Sequence, residues 1–450
     1  MITPRHVLPF IAFASSMGFL VSSALGETNS SAKVIVEQTE SFFPELKLVL
    51  KKIDSQSPTL SQERERLAEA KANRMTADAK SGVRFSIGAN AYSLHEDRPG
   101  DDFYHRYRFL ASASVRKPLY HWGALLAEGR IAELNEVSAK STYSNLSSDL
   151  SARAKTEYLN LVLASYDIEL SGRRLDLANA KAVEMEDRLR LGLVTELSVS
   201  EAKTRSLRLR IDLSEKERLL SKGKVTFSED TGFAEKLDLK LTQEFVDFSS
   251  DHSFAKNLPI SSGDVSTLAM ENLERSIETQ RQYVKMAEAE LRPKLNLVGG
   301  FYQDQVDHLD NRSTQDRNNL IVGIEANWAL FDSSLSKGRK LASLARKRRL
   351  ELELEREIRR QRLEATSTRE QLIALAEIIK SSRRLVEAAS DRYDKSIIEF
   401  EQNRITPEAF FTSRLELDHA RLSLFRSVAN YLNTKDQYGN LLYDSRRAVR

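Results

Sequence analysis

Two periodicities divide the chain. From Gly123 to about Arg190, apolar residues recur every seven positions, at Ala154, Leu161, Ile168, Leu175, Ala182 and Leu189. The spacing returns in the second half at Ile358, Ala365, Leu372, Ile379, Val386, Tyr393 and Phe400. A heptad stripe in Ala-, Leu-, Glu-, Lys- and Arg-rich sequence predicts long helices joined along a coiled-coil seam. A helix of roughly 68 residues, at about 1.5 Å each, is about 100 Å long and needs a partner along its length. The first run breaks at Leu191-Gly192-Leu193-Val194-Thr195, where Gly192 suits a helix end and Thr195 a cap. A second helix is expected from about Glu196 to Ser221. The later run breaks at Glu401-Gln402-Asn403-Arg404-Ile405-Thr406-Pro407, with Pro407 in a first-turn position, and a helix from about Glu408 to Asp436 follows.

Before each long helix the period changes to two. Val83 to Ala91 and Tyr107 to Arg116 carry apolar residues at odd positions, separated by the polar loop Ser93 to Tyr104. Leu295 to Gln303 and Leu320 to Phe331 repeat the pair, with Leu320, Val322, Ile324, Ala326, Trp328 and Leu330 on one face. Alternation over nine or ten residues predicts strands of the length that a tilted membrane crossing needs. Four strands neither close a barrel nor protect their edges, and the smallest membrane barrels have about eight. Three copies would supply about twelve strands and two about eight, the latter filled by side chains, so a trimer suits a channel. Arg106, Arg108 and Arg116 fall on the even face. If the odd face meets lipid they line the lumen, because an Arg facing lipid near the midplane costs about 2–4 kcal/mol.

The two halves align at one offset. Ala154 to Ala365, Leu161 to Leu372, Ile168 to Ile379 and Leu175 to Val386 are each 211 apart, as are Thr195 and Thr406. The strand-to-helix stretches Lys117 to Gly123 and Trp328 to Ser334 match at that same offset. Heptads alone could align by chance, but the breaks and joints align too, which indicates a tandem duplication.

Composition narrows the function. Only 17 Gly and 9 Pro occur in 450 residues, against roughly 54 expected from average usage, which fits long uninterrupted elements. Lys+Arg 68 against Asp+Glu 65 leaves a net charge of +3, which gives no sign of a nucleic-acid partner. Cysteine is absent, removing disulfides, thiolate metal sites and a cysteine nucleophile. The seven histidines show no metal spacing, and there is no phosphate loop, nucleophile elbow or dinucleotide fingerprint. No metal site is therefore expected, and none of these enzyme signatures is present. Met1 to Gly26 has the pattern of a secretory signal cleaved before Glu27. No later run approaches 18 consecutive apolar residues, so any membrane crossing falls to the strands.

These features together resemble the TolC family of Gram-negative outer-membrane efflux and secretion channels. Lys117-Pro118-Leu119-Tyr120-His121-Trp122-Gly123 and Trp328-Ala329-Leu330-Phe331-Asp332 are similar to the family's strand-to-helix joint. Ser57-Pro58-Thr59-Leu60 with the run to Lys80, and Met270 to Leu297, resemble the helices that precede each strand pair. Leu191 to Thr195 is similar to the turn at the periplasmic tip. The resemblance implies a mainly α fold with a transmembrane β part, in which a homotrimeric twelve-stranded barrel continues into an α-helical tunnel. It also implies no enzymatic activity and no cofactor, and a periplasmic adaptor and an inner-membrane transporter as partners, docked at tips formed here by Gly192, Leu193, Thr195, Asn403, Arg404 and Thr406. Family members often carry Asp three residues after the tip Thr; Ser198 and Ala409 stand there, with Glu196 and Glu408 nearby. His121 and Trp122 replace the usual Asp-Gly of the first joint, an exchange expected to alter local packing alone.

The expected organisation is a signal peptide over residues 1–26, a first repeat over 27–221, an equatorial inter-repeat segment over 222–261, a second repeat over 262–442 and a basic tail over 443–450. The expected role is an outer-membrane exit duct reaching through the periplasm. A non-conducting periplasmic coiled-coil scaffold or adaptor is the competing reading.

Overall fold

The computed structural model describes residues 39–96, 104–233, 237–251, 254, 267–307 and 314–441. The signal segment and the C-terminal tail lie outside the described residues. In chain order the elements are α1 (Pro44–Gln56), α2 (Pro58–Ala79), β1 (Arg84–Glu96), β2 (Tyr104–Tyr120), α3 (Ala124–Arg190) and α4 (Glu196–Thr231). They continue with α5 (Gln243–Asp251), α6 (Leu268–Ala289), β3 (Lys294–Asp307), β4 (Thr314–Asn327), α7 (Leu335–Glu401) and α8 (Pro407–Leu441).

Helices α3 and α7 each hold 67 residues, about 100 Å of unbroken helix. The heptad residues that predicted them form the seams: Ala154, Leu161, Leu175, Ala365, Leu372 and Ile379 are all buried. Each packs in a hairpin with the helix that follows it, α3 with α4 and α7 with α8. Further contacts join α2 to α3, α3 to α6 and α8, and α6 to α7, so helices of the two halves interleave.

The duplication is visible in the element bounds. Ala124 and Leu335, Arg190 and Glu401, and Glu196 and Pro407 are each 211 apart, whereas Pro58 and Leu268, and Arg84 and Lys294, are 210 apart. Arg84 pairs with Arg116, and Lys294 with Asn327, so the extra residue enters at the second hairpin.

The four strands form one antiparallel sheet in the order β1-β2-β3-β4. The two hairpins are joined edge to edge through β2 and β3, with Ala113 opposite Phe301 and Val115 opposite Gly299. β4 differs from its expected span of Leu320 to Phe331. It starts earlier and stops at Asn327, because Asn327 pairs with Lys294, the first residue of β3. Beyond it no strand remains to accept Trp328, and Ser333 and Ser334 turn the chain with φ of 53° and 70°. The helix within the Met270 to Leu297 stretch ends at Ala289, and β3 begins at Lys294, one residue before the expected Leu295.

A second difference lies between the repeats. The helix expected to end at Ser221 continues to Thr231, and α8 continues to Leu441. Both extensions bury aromatic side chains, Phe227 in α4 and Tyr438 in α8. They share a core with α5, whose Phe245 is fully buried against Phe43 at 5.5 Å and against Phe42 and Phe425 at 6.0 Å between ring centroids. With Tyr158, Leu372, Ile379 and Val428 these rings make one hydrophobic core around the middle of α3 and α7. Gly232 ends α4 in the left-handed region, with φ 72°, where an added Cβ would lie 2.2 Å from the Gln56 carbonyl oxygen. The chain thus turns directly against the α1–α2 joint, where the Ser57 hydroxyl donates to the Asp230 carbonyl at 3.0 Å.

Candidate functional site

Register sorts the sheet into two chemically different faces. Residues directly opposite each other share a face, so Phe85 and Val115, Ile87 and Ala113, and Ala91 and Phe109 lie together. The same face continues across Leu295 and Ala326, Leu297 and Ile324, Gly299 and Val322, and Phe301 and Leu320. Apart from Leu295, its large members are solvent-exposed in the protomer, from 39% at Val115 to 79% at Leu320. A continuous, exposed apolar face of this extent needs an apolar environment. No helix among the described residues is long and apolar enough to cross a membrane.

The opposite face is polar and cross-linked. Arg108 on β2 donates from Nη2 to Asp304 Oδ1 on β3 at 2.6 Å, and its Nε donates to the same oxygen at 3.1 Å. Arg116 on β2 reaches over β3 to Glu325 on β4, with Nη2 and Oε2 3.0 Å apart. Ser86 and Ser114 are hydrogen-bonded at 2.8 Å. Arg108 and Arg116, two of the three arginines expected on this face, therefore join the strands of the first repeat to those of the second. The side chain of Arg106 lies outside the described residues. Asp304 and Glu325 were not singled out from the sequence, although their position on the polar face of β3 and β4 was the signal available.

Each strand pair enters its helix through two consecutive left-handed residues: Trp122 and Gly123 (φ 54° and 78°) before α3, Ser333 and Ser334 (φ 53° and 70°) before α7. Pro118, Leu119, Leu330 and Phe331 lead into these turns, and Leu119, Leu330 and Phe331 are exposed. In the second joint the Asp332 carboxylate accepts from the Ser336 amide at 2.7 Å. The side-chain and backbone hydrogen bonds of Ser336 hold the Asp332 carboxyl below its ordinary range. In the first joint His121 occupies the corresponding place and turns elsewhere, its Nε2 lying 2.9 Å from Asn296 Oδ1. Trp122 donates from Nε1 to the Pro293 carbonyl at 2.9 Å, and the Arg292 guanidinium sits 4.9 Å over its ring. The His-Trp exchange thus ties the first joint to β3 and the turn before it, more than the local change of packing expected.

At the far ends of α3 and α7 the two turns are built alike. The Leu193 amide donates to the Arg188 carbonyl and the Gly192 amide to Leu189, both at 2.8 Å; Arg404 to Glu399 at 2.8 Å and Asn403 to Phe400 at 2.9 Å repeat the pattern. This double bond pattern closes a helix through a left-handed residue, here Gly192 with φ 71° and Asn403 with φ 55°. Thr195 then accepts from the Ser198 amide at 3.3 Å and Thr406 from the Ala409 amide at 3.2 Å. Ser198 and Ala409 therefore stand in the capped first turns of α4 and α8. Glu408 is engaged by Lys181 of α3 at 2.6 Å, which brings the α3 end beside the α8 start. Leu191, Leu193 and Leu197 expose 68–73% of their surface at the first tip.

Midway along the helices Asp167 of α3 gathers Lys216 of α4 at 3.3 Å and Arg426 of α8 at 2.8 Å. Burial pushes the nearby His419 imidazole below its usual range, and Arg174 adds to the effect. No group of carboxylates and histidines among the described residues is arranged to hold a metal.

Residues 49–223 match the family described as outer membrane efflux protein. The fold is that of outer-membrane channels. The Campylobacter jejuni CmeC outer membrane channel superposes with a TM-score of 0.70 at 13% identity, covering 99% of this chain and 97% of that one. The outer membrane protein VceC from Vibrio cholerae gives a TM-score of 0.67 at 16% identity, covering 90% and 97%. The open state of the Neisseria gonorrhoeae MtrE outer membrane channel gives 0.69 at 12% identity, covering 88% and 89%. No curated protein sequence matches the chain significantly. The resemblance to the TolC family drawn from the sequence is supported by the family match over residues 49–223 and by the shared fold.

Proposed function

We propose that three copies of the chain join their sheets into a twelve-stranded barrel in the outer membrane, continued by the long helices as a tunnel into the periplasm. The assembly is a passive exit duct for a tripartite efflux pump or type I secretion system. The observation that carries this reading is the sheet. One face carries a continuous, largely exposed apolar band, the other is polar and ion-paired, and β1 and β4 leave both edges open. Closing those edges against further copies satisfies the backbone groups that lipid cannot. The ion pairs then lie inside, bracing the barrel wall.

The two tip turns support docking of a periplasmic adaptor, itself bound to an inner-membrane transporter. Gly192, Leu193 and Thr195 on one tip, and Asn403, Arg404 and Thr406 on the other, are the contact residues of this reading. Leu193→Asp should abolish adaptor crosslinking while leaving the fold intact, since Leu193 is 70% exposed. The duct itself is tested by purification from outer-membrane fractions, cross-linking for a trimer, and planar-bilayer conductance. A soluble periplasmic monomer without conductance would overturn it in favour of a scaffold.

A further inference from the structure

We propose that a groove beneath the sheet binds organic anions carrying an aromatic ring as they pass through the duct. The groove, of about 520 Å³, lies between the first turns of α3, the last turns of α6 and the first turns of α7. Tyr283 and Met286 of α6 line it with apolar surface, and Lys294 and Arg346 bring positive charge to it. Of the other charged lining groups, Arg339 is paired with Glu290 and Glu128 with Lys80. Neither Lys294 nor Arg346 has a carboxylate partner among the described residues.

The side on which the groove opens follows from the sheet. Lys294 shares the polar face of β3 with Asn296, and His121, another lining residue, is bonded to Asn296 at 2.9 Å. This face is the lumen once the barrel closes, so the site rests on the duct reading. The internal duplication supplies a comparison. At the places of Tyr283, Met286, Arg339 and Arg346 the first repeat carries Asn73, Thr76, Glu128 and Asn135. Arg84 keeps a cation at the place of Lys294, but the fold is built there without the aromatic ring or the Arg346 guanidinium, so Tyr283, Met286 and Arg346 are free to serve a ligand. A planar ring packs well on a phenol and a thioether, while an ammonium and a guanidinium give an acid group charge-assisted hydrogen bonds. The volume suits a small ligand.

The test is calorimetric titration of the full-length detergent-solubilised protein with 2-naphthalenesulfonate, and with uncharged 2-naphthol as control. Saturable sulfonate binding is expected, weakened about tenfold by Arg346→Gln or Lys294→Gln, with naphthol unaffected by either. Tyr283→Asn with Met286→Thr installs the residues of the first repeat and should weaken both ligands. Absence of saturable binding, or binding indifferent to these variants, overturns the site. In planar bilayers the sulfonate should reduce single-channel current in the wild type and not in Arg346→Gln. A protein that conducts without binding the probe refutes the groove alone, and one that binds it but never conducts refutes the duct.

Discussion

Ile321 and Val322 are neighbours in β4, both apolar and both exposed in the protomer, at 52% and 76%. Register gives them opposite fates. Val322 lies opposite Gly299 on the continuous apolar face, whereas Ile321 lies opposite Gly300 on the face that carries the Arg116–Glu325 pair. The outward apolar band of β4 runs from Leu320 to Ala326, so Val322 sits close to its middle. A cationic side chain at the lipid midplane of a barrel costs about 2–4 kcal/mol, and less near the interfaces. Val322→Arg should therefore lower the folding equilibrium about 30- to 1,000-fold per chain, a loss repeated in every protomer of a closed barrel. Ile321→Arg adds a cation to the polar face that already holds Arg108 and Arg116 and should cost about 1 kcal/mol or less. Refolding of each variant into phospholipid vesicles across a denaturant series, read as the heat-sensitive trimer band on gels, measures the difference. Equal damage from both substitutions, or greater damage from Ile321→Arg, would refute the face assignment. Tolerance of both would show that the sheet does not meet lipid.

Three other outcomes follow from particular contacts. Gly232→Ala must hold an L-residue in the left-handed region and place a methyl group 2.2 Å from the Gln56 carbonyl oxygen; a loss of about 3 kcal/mol is expected in chemical denaturation, and a neutral result would mean that α4 does not end against the α1–α2 joint. Phe245→Ala removes a fully buried ring held by Phe42, Phe43 and Phe425. It should cost about 3–5 kcal/mol and loosen α5 to hydrogen exchange before the coiled-coil seams. Asp332→Ala removes a carboxylate whose folded pKa is depressed by Ser336. A depressed acid contributes stability above its unfolded pKa of about 4, lost as pH falls through the lower folded value. The variant should thus melt earlier than wild type at neutral pH, and the gap should close in acid.

Much of the architecture was legible because its parts are one-dimensional. A heptad stripe specifies a long helix and its seam whatever the partner, and Ala154, Leu161, Leu372 and Ile379 are buried where the stripe placed them. Gly192 and Thr195 end one helix and cap the next through their own backbone and hydroxyl, so the tips too were local. Alternation marked the strands because side chains of a strand must point to opposite faces. What failed was whatever depends on a neighbour. Trp328 and Leu330 continue the alternating pattern of β4, yet the strand ends at Asn327 because β3 begins at Lys294 and has nothing further to pair. The extension of α4 to Thr231 and the helix α5 have no sustained period, and are stabilised by rings drawn from the residues just before α1 and from α3, α4, α5 and α8 into one core.

The same division holds for the sheet. Sequence alone determined that one face of each strand pair is apolar, that the chain is duplicated, and that four strands cannot close by themselves. Only tertiary structure joined β2 to β3, set Arg108 beside Asp304 and Arg116 beside Glu325, and turned His121 toward Asn296. The physical reason is distance along the chain. Arg108 and Asp304 are separated by 196 residues, and no periodicity carries a contact across the roughly 100 Å of α3 and the roughly 54 Å of α4 that folds back along it.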